Sequence, residues 1–359
     1  MRTARRLLIS VLLFASALWV VVPAATASQL IARDATGVKL QVNSQGRALI
    51  TYRARGTTHH VLAWGALNAI DPTEARSQLA FRVDYSGGWG STGRAVWKSL
   101  RNVCRPASVR VAWLVTACRA PDGSYWALQS WQRTLPDYGL PAKGIHAARE
   151  LRLSHWRGPL PKLEIQTGWA YRRYHSLFGR LTWRGRPVYG FASTSAGRPL
   201  DGFGRNLYVD TYNSAYGPGW HRENAFLTHT GSGGFCYGFY PHGDRPPGMG
   251  ERYRATVSGP GVLPDVAWEG AAPKTYDRSY DVAEDARQLA SSAPIRAASR
   301  AEGRKDSTDV QCQFTMRTAP LAPLAASDQK ESPWRGSPPS RPVPSSCSPP
   351  RRCSSSTCS

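Results

Sequence analysis

Apolar and polar side chains alternate with a period of two over much of this chain. Val38, Leu40 and Val42 alternate with Lys39 and Gln41, Ser44-Gln45-Gly46 offers a reversal, and the alternation resumes through Leu49 and Tyr52. Arg55-Gly56-Thr57 gives the next turn into Val61–Trp64, so residues 37–64 are expected to form a three-stranded meander. Gln78–Tyr85 repeats the pattern, with Leu79, Phe81 and Val83 on one face and Arg82 and Asp84 on the other. Successive side chains of a strand point to opposite faces, so this run predicts a half-buried strand.

Val96, Leu100 and Val103 break that rhythm. Their spacing puts them on one stripe of a helix that begins near Ser91-Thr92, either of which can cap it. Val109–Cys118 and Tyr125–Trp131 then flank Pro121-Asp122-Gly123. Asp-Gly readily takes the positive φ angles of a tight reversal, which predicts a hairpin. A short helix is expected over Ile145–Leu151. Strands resume from Leu163, with a hairpin formed by Phe178–Trp183, the turn Arg184-Gly185-Arg186 and Val188–Phe191. Leu207–Tyr212, Trp220–Thr230, Phe235–Tyr240 and Tyr253–Val257 are further strand candidates, and a helix over Val282–Leu289 closes the body. Closely spaced hairpins predict a mainly β fold: one antiparallel, strand-rich sandwich or barrel-like domain over residues 28–290, with a few short helices.

The two ends follow other rules. Arg2, Arg5 and Arg6 precede the uncharged run Leu7–Val22, and Ala25-Thr26-Ala27 provides a small-x-small site before Ser28. Residues 1–27 therefore read as a signal peptide, removed on export and leaving no membrane span. The unbroken apolar run favours the general export route over the twin-arginine one. After Ala290, Ser, Pro, Ala and Arg dominate and only Phe314 and Trp334 remain of the aromatics. Such a segment buries too little apolar area to offset its ordering entropy, so residues 291–359 are expected to be a disordered tail.

Export makes the cysteines interpretable, because disulfides persist outside the cytoplasm. Cys104, Cys118, Cys236 and Cys312 lie apart in the chain and are the disulfide candidates. Cys104–Cys118 is the most local pairing, while Cys236 could join either of these or Cys312. No C-x-x-C pair occurs, so no structural zinc site is expected. The formal net charge of +22 comes mainly from arginines that alternate with apolar residues, as at Arg180, Arg184 and Arg186. That pattern describes solvated basic faces better than a nucleic-acid patch, and outside the cell such faces attract acidic polysaccharide or cell wall.

Gly88-Trp89-Gly90-Ser91-Thr92-Gly93 matches G-x-G-x-x-G. The preceding strand is amphipathic where a central parallel strand would be apolar throughout. No acidic residue stands about twenty positions on, as a dinucleotide site requires. A glycine-rich turn accounts for the same letters, and no cofactor is expected. Leu207–Asn213 with His221 resembles the metal loop of legume-type lectins, in which Asp, a Tyr carbonyl, Asn and His surround the ions. Here Tyr208 replaces the family's first acidic residue, and no second Asp lies between Asn213 and His221. One carboxylate is a poor site for a hard cation, so no metal is expected either.

Polar and aromatic groups concentrate between Asp201 and His242. If Trp220–Thr230 is one strand, His221, Glu223 and His229 share a face. Asp210, His221 and Glu223 are then the acid–base candidates for a secreted hydrolase acting on polysaccharide. No G-x-S-x-G or H-E-x-x-H signature accompanies them. Trp89, in the glycine-rich loop, and Trp220 are the candidates for stacking on a ligand. Phe81–Gly88, Ala120–Trp126, Asn213–Trp220 and Phe235–His242 together resemble uncharacterised exported proteins of high-GC actinobacteria. The resemblance implies one exported domain up to about Gly270 and no assigned activity. The leading expectation is a non-enzymatic extracellular or cell-wall-associated binding protein for anionic or carbohydrate polymers. The alternatives are the hydrolase and a structural envelope protein.

Overall fold

The computed structural model describes residues 28–70, 79–133, 143–170, 174–188, 206–223, 225–229, 234–239, 250–259 and 261–274, with short pieces between and beyond. The signal-peptide segment 1–27 and nearly all of the tail 291–359, with Cys312, lie outside the described residues.

A short strand β1 (Gln29–Arg33) precedes the meander β2 (Thr36–Val42), β3 (Ala48–Ala54) and β4 (Thr57–Trp64), which runs as its alternation predicts. β5 (Arg82–Asp84) pairs with β4 and is shorter than the pattern from Gln78 to Tyr85. The continuous helix expected from Ser91 to Val103 does not form. A single turn α1 (Trp89–Thr92) ends at Gly93, whose φ of 65° is left-handed, and a separate 3-10 turn covers Val96–Lys98. Val103 instead donates its N–H to the Val42 carbonyl, and the Val42 N–H donates to the Asn102 side chain. A tertiary partner for the backbone overrides the local helical spacing.

β6 (Arg105–Pro106), β7 (Leu114–Arg119) and β8 (Tyr125–Trp131) follow, with the expected Asp-Gly reversal between the last two and Gly123 at φ 84°. The predicted helix over Ile145–Leu151 shrinks to the turn α2 (Gly144–Ala147), and Leu151 belongs to β9 (Glu150–Trp156). β9 lies between β1 and β8 in a five-stranded sheet of order β1-β9-β8-β7-β6, where two neighbours satisfy its backbone. A disulfide joins Cys104 to Cys118, with Cα atoms 5.5 Å apart.

The second half begins with β10 (Lys162–Ala170), β11 (Tyr174–Trp183) and β12 (Arg186–Pro187); Arg184 and Gly185 make the expected turn, both at positive φ. β13 (Ala192–Ser195), β14 (Arg198–Pro199), β15 (Asn206–Ser214), β16 (Gly217–Arg222), β17 (Ala225–His229), β18 (Gly234–Phe239), β19 (Arg252–Val257) and β20 (Val266–Ala271) complete the order. One sheet runs β10-β11-β18-β17 and another β14-β13-β15-β19-β20, with β16 on β15. Among the described strands only β13 and β15 pair in parallel, so the fold is mainly antiparallel β. Trp220–Thr230 is not one strand: β16 pairs with β15 while β17 pairs with β18 in the other sheet. Cys236 lies on β18, and its side chain lies outside the described residues.

Two apolar cores flank the β9-containing sheet. Leu151, Leu153, Trp126 and Leu128 pack against Val42, Ile50, Tyr52 and Val61 of the meander. Ala127 and Trp156 pack with Leu177, Leu181, Leu207, Val209 and Val257 of the other sheets. Each fully buried leucine there contributes about 1.5–3 kcal/mol. Both faces of β9 are covered, so its polar residues Glu150, Arg152 and Ser154 are buried as well.

Candidate functional site

β15 presents Tyr208, Asp210 and Tyr212 on one face and Leu207, Val209 and Thr211 on the other. Asp210 stands directly opposite Arg222 of β16 on one side and Arg254 of β19 on the other. Arg222 Nε donates to its Oδ1 at 2.5 Å, and Arg254 Nε and Nη2 donate to its Oδ2 at 3.1 and 3.0 Å. The carboxylate is fully buried and sits between two guanidinium groups. Trp220, the second stacking candidate, is half-buried beneath Arg254, whose Cζ lies 4.3 Å from the ring centroid.

This row continues into a buried polar layer. Arg222 donates to the Arg133 carbonyl, and Arg133 Nε donates to the Tyr208 hydroxyl. Arg133 also lies 3.8 Å from Glu150, which accepts from Arg152 at 2.8 Å. Asp265 is fully buried and accepts from Trp131 Nε1 and the Ser28 hydroxyl, at 2.9 and 2.7 Å. Three carboxylates are thus enclosed with their cations and donors, which is the condition for burying charge at tolerable cost. Sequence reasoning missed this layer. The alternation of Glu150, Arg152 and Ser154 resembles a solvated face until a second sheet is known to cover it.

Glu223 follows β16 and points the other way. Its N–H donates to the Val209 carbonyl, and the Thr211 hydroxyl donates to Oε1. Oε2 has no hydrogen-bond partner among the described residues. Burial pushes its carboxyl up to about 8; the Thr211 bond works against this and the Asp210 charge adds to it. Tyr253, paired with Thr211 across the sheet and hydrogen-bonded to His175, is itself pushed well above its ordinary value by burial and then by Glu223. His221 lies across from Thr211, and its Nε2 is 3.0 Å from the Pro218 carbonyl of the same strand.

The three acid–base candidates are therefore neighbours in sequence pairing but do not converge. Asp210 and Glu223 occupy opposite faces, both fully buried, and His221 lies on β16 with its ring turned back to the Pro218 carbonyl of the same strand. His221 and His229 do not share a strand face, because the strand expected to carry both is split between two sheets. Asp201 and His242 lie outside the described residues. Asn213 does not present a metal-binding oxygen: its Oδ1 accepts from the Gly219 N–H and its Nδ2 donates to Glu251. Among the described residues, no three His, Cys, Asp or Glu side chains converge as a metal centre requires.

The loop after β5 has a different character. Asp84 Oδ1 accepts from the Ser86 N–H and hydroxyl, and Oδ2 accepts from the Ser91 N–H and hydroxyl at 2.9 and 2.6 Å. Burial acts to raise this carboxyl, but those four bonds hold it down at about 2. Ser86 Oγ then accepts the Gly90 N–H, extending the clamp. Gly88 has φ 115°, and a Cβ there would fall 2.4 Å from Val96 Cγ2 and 2.7 Å from the Arg94 carbonyl. The glycines of G-x-G-x-x-G thus serve a tight turn.

On this clamp Trp89 is 60% exposed and Tyr85 58%. Trp97 is also exposed and stacks flat on His60, with ring centroids 4.3 Å apart. Arg82, Arg94, Lys98 and Arg101 of the same stretch are exposed. Sequence reasoning found Trp89 but not Tyr85 or Trp97. The glycine cluster that exposes Trp89 was the available signal for its neighbours.

Compared with protein-family models, with curated proteins and with solved structures, the chain matches none. Among the described residues no helix is long and apolar enough to cross a membrane.

Proposed function

We propose that this chain is an exported, cell-envelope-associated protein that binds anionic carbohydrate polymer without transforming it. The observation that carries this reading is Trp89, largely exposed on a loop whose conformation Asp84 fixes through four hydrogen bonds. An exposed ring carried on a fixed backbone leaves less to be ordered when it stacks on a sugar face, which is the energetic advantage of preorganisation. The arginines and lysine around it add Coulomb attraction for acidic groups and make binding dependent on salt.

The geometry gives less support to hydrolysis by Asp210 and Glu223. Two-carboxylate cleavage needs both groups to flank one bond from a shared cleft. Asp210 is neutralised by Arg222 and Arg254, and Glu223 faces away from it. Export is inferred from residues 1–27.

The test is retention of the full chain on purified cell wall or immobilised acidic polysaccharide. Trp89→Ala is expected to weaken retention by about tenfold, since losing one stacked ring removes about 1–1.5 kcal/mol. Raising salt is expected to weaken it further. Equal retention of wild type and variant at every salt concentration would discard the proposal.

A further inference from the structure

A second basic feature lies away from the Trp89 loop, where β6 meets β7. Arg105 and Arg119 are paired directly across these strands, and both are exposed. Like charges directly opposite on a sheet repel, so such a pair is normally avoided. Here neither guanidinium has a carboxylate partner among the described residues. Asp122, in the adjoining turn, is committed to Arg157 at 2.9 Å and to Ser124.

Two covalent and packing devices hold the arginines together regardless. β6 contains only two residues, and the disulfide from Cys104 to Cys118 ties it to β7 beside the pair. Arg119 lies over the ring of Tyr125, at 5.6 Å from its centroid, and Tyr125 stacks in turn on the buried Trp156. The guanidinium is thus supported before any ligand arrives. Both arginines line a cavity of about 830 Å³ together with Val103, Ser108, Ala120 and Tyr125. Such a volume accommodates one or two sugar rings.

We propose that this cavity is an oxyanion subsite, in which Arg105 and Arg119 jointly grip a carboxylate or sulfate ester carried on a sugar ring. A shared anion converts the repulsion between the two cations into attraction to a common partner, and the forked donors of guanidinium suit a pair of oxyanion oxygens, in carboxylate and sulfate ester alike. The inference rests on the reading of this chain as a binder of anionic carbohydrate, and it supplies the site that recognises the charge. The aromatic loop at Trp89 would contact sugar faces, and the arginine cavity would select for acidic units.

The experiment titrates the full chain at low ionic strength with three probes: a polyuronate oligomer, a sulfated dextran oligomer and neutral dextran. It compares wild type with Arg105→Gln/Arg119→Gln and, separately, Trp89→Ala. The double variant is expected to bind the acidic probes at least tenfold more weakly, since each lost charge-assisted contact is worth about tenfold or more. Its affinity for neutral dextran should not change. Without ligand, its Tm should equal or exceed that of wild type, because a repulsion has been removed. Preference between uronate and sulfate in the wild type identifies which oxyanion the cavity takes. Cys104→Ser/Cys118→Ser, which keeps both arginines but frees β6, should reproduce the loss for acidic probes. Unchanged affinity of the arginine variant for both acidic probes would overturn the subsite. If Trp89→Ala alone loses binding, the aromatic loop stands and the arginine cavity is discarded. Loss in the arginine variant alone retains the cavity and discards the loop, and loss in neither rejects both.

Discussion

Asp84 and Glu223 occupy two regions that treat a nearly enclosed carboxyl in opposite ways. Around Asp84, two hydroxyls and two backbone N–H groups converge, and the carboxyl is held at about 2. Around Glu223 a single hydroxyl donates, one oxygen has no partner among the described residues, and the carboxyl rises to about 8. Burial opposes the charged form in both places; at Asp84 four donors outweigh it, whereas at Glu223 deeper burial and the nearby Asp210 charge outweigh a single hydroxyl. The first region uses its charge to stiffen an exposed loop. The second keeps a neutral acid within packed sheets, a short distance along the chain from Asp210, which is paired with two arginines.

The comparison is broken most severely by removing the best-compensated charge. Asp210→Ala strands Arg222 and Arg254 in a buried layer and is expected to cost about 3–5 kcal/mol. Urea unfolding followed by tryptophan fluorescence measures it; a loss below about 1 kcal/mol would show that the arginines find other partners.

Glu223 gives the next largest effect, and with a definite sign. The folded protein keeps its proton up to about pH 8, whereas the unfolded chain releases it near the ordinary value of 4.5. Unfolding therefore releases a proton between those limits, and stability falls as pH rises through them. Wild type is expected to lose a few kcal/mol over that window from this group. Glu223→Gln should flatten the slope, and parallel stability profiles of the two proteins would refute it.

Asp84 should show the reverse dependence at lower pH. Its contribution is present above the ordinary value of 3.8 and disappears as pH falls through about 2. Asp84→Asn is expected to cost about 1–2 kcal/mol at neutral pH, by weakening charge-assisted hydrogen bonds, and to lack that acid limb. Chemical unfolding at pH 5 and pH 2.5 distinguishes the two proteins. The smallest stability effect is expected from Trp89→Ala, within about 0.5 kcal/mol, because an exposed ring has little packing to lose. A large destabilisation there would mean that Trp89 supports the fold and is not held ready for a ligand.

Much of the β architecture was legible from residue order. The meander of β2, β3 and β4, the Asp-Gly hairpin and the turn at Arg184-Gly185 depend on neighbouring residues, so their patterns survive without tertiary knowledge. The helix expected over 91–103 failed because Gly93 ends the first turn and Val42 takes the backbone further on. Residues 145–151 misled for a related reason, since two neighbouring strands claim Leu151. Of the candidate site, the exposure of Trp89 was legible from its glycines, and Cys104–Cys118 was one of the pairings the cysteine spacing left open. The expected convergence of His221, Glu223 and His229 was not available from parity, because the strand assumed to carry them divides between sheets.

The sequence by itself determined that this protein is an antiparallel β domain, because alternation and turn chemistry act over a few residues, while it left the partner of Cys104 open between Cys118 and Cys236. Only the tertiary structure decided that Glu150, Arg152, Asp210 and Asp265 are enclosed. It also placed Arg105 opposite Arg119. Those outcomes depend on which sheet covers which face and on strand register, which arise from contacts distant in the chain.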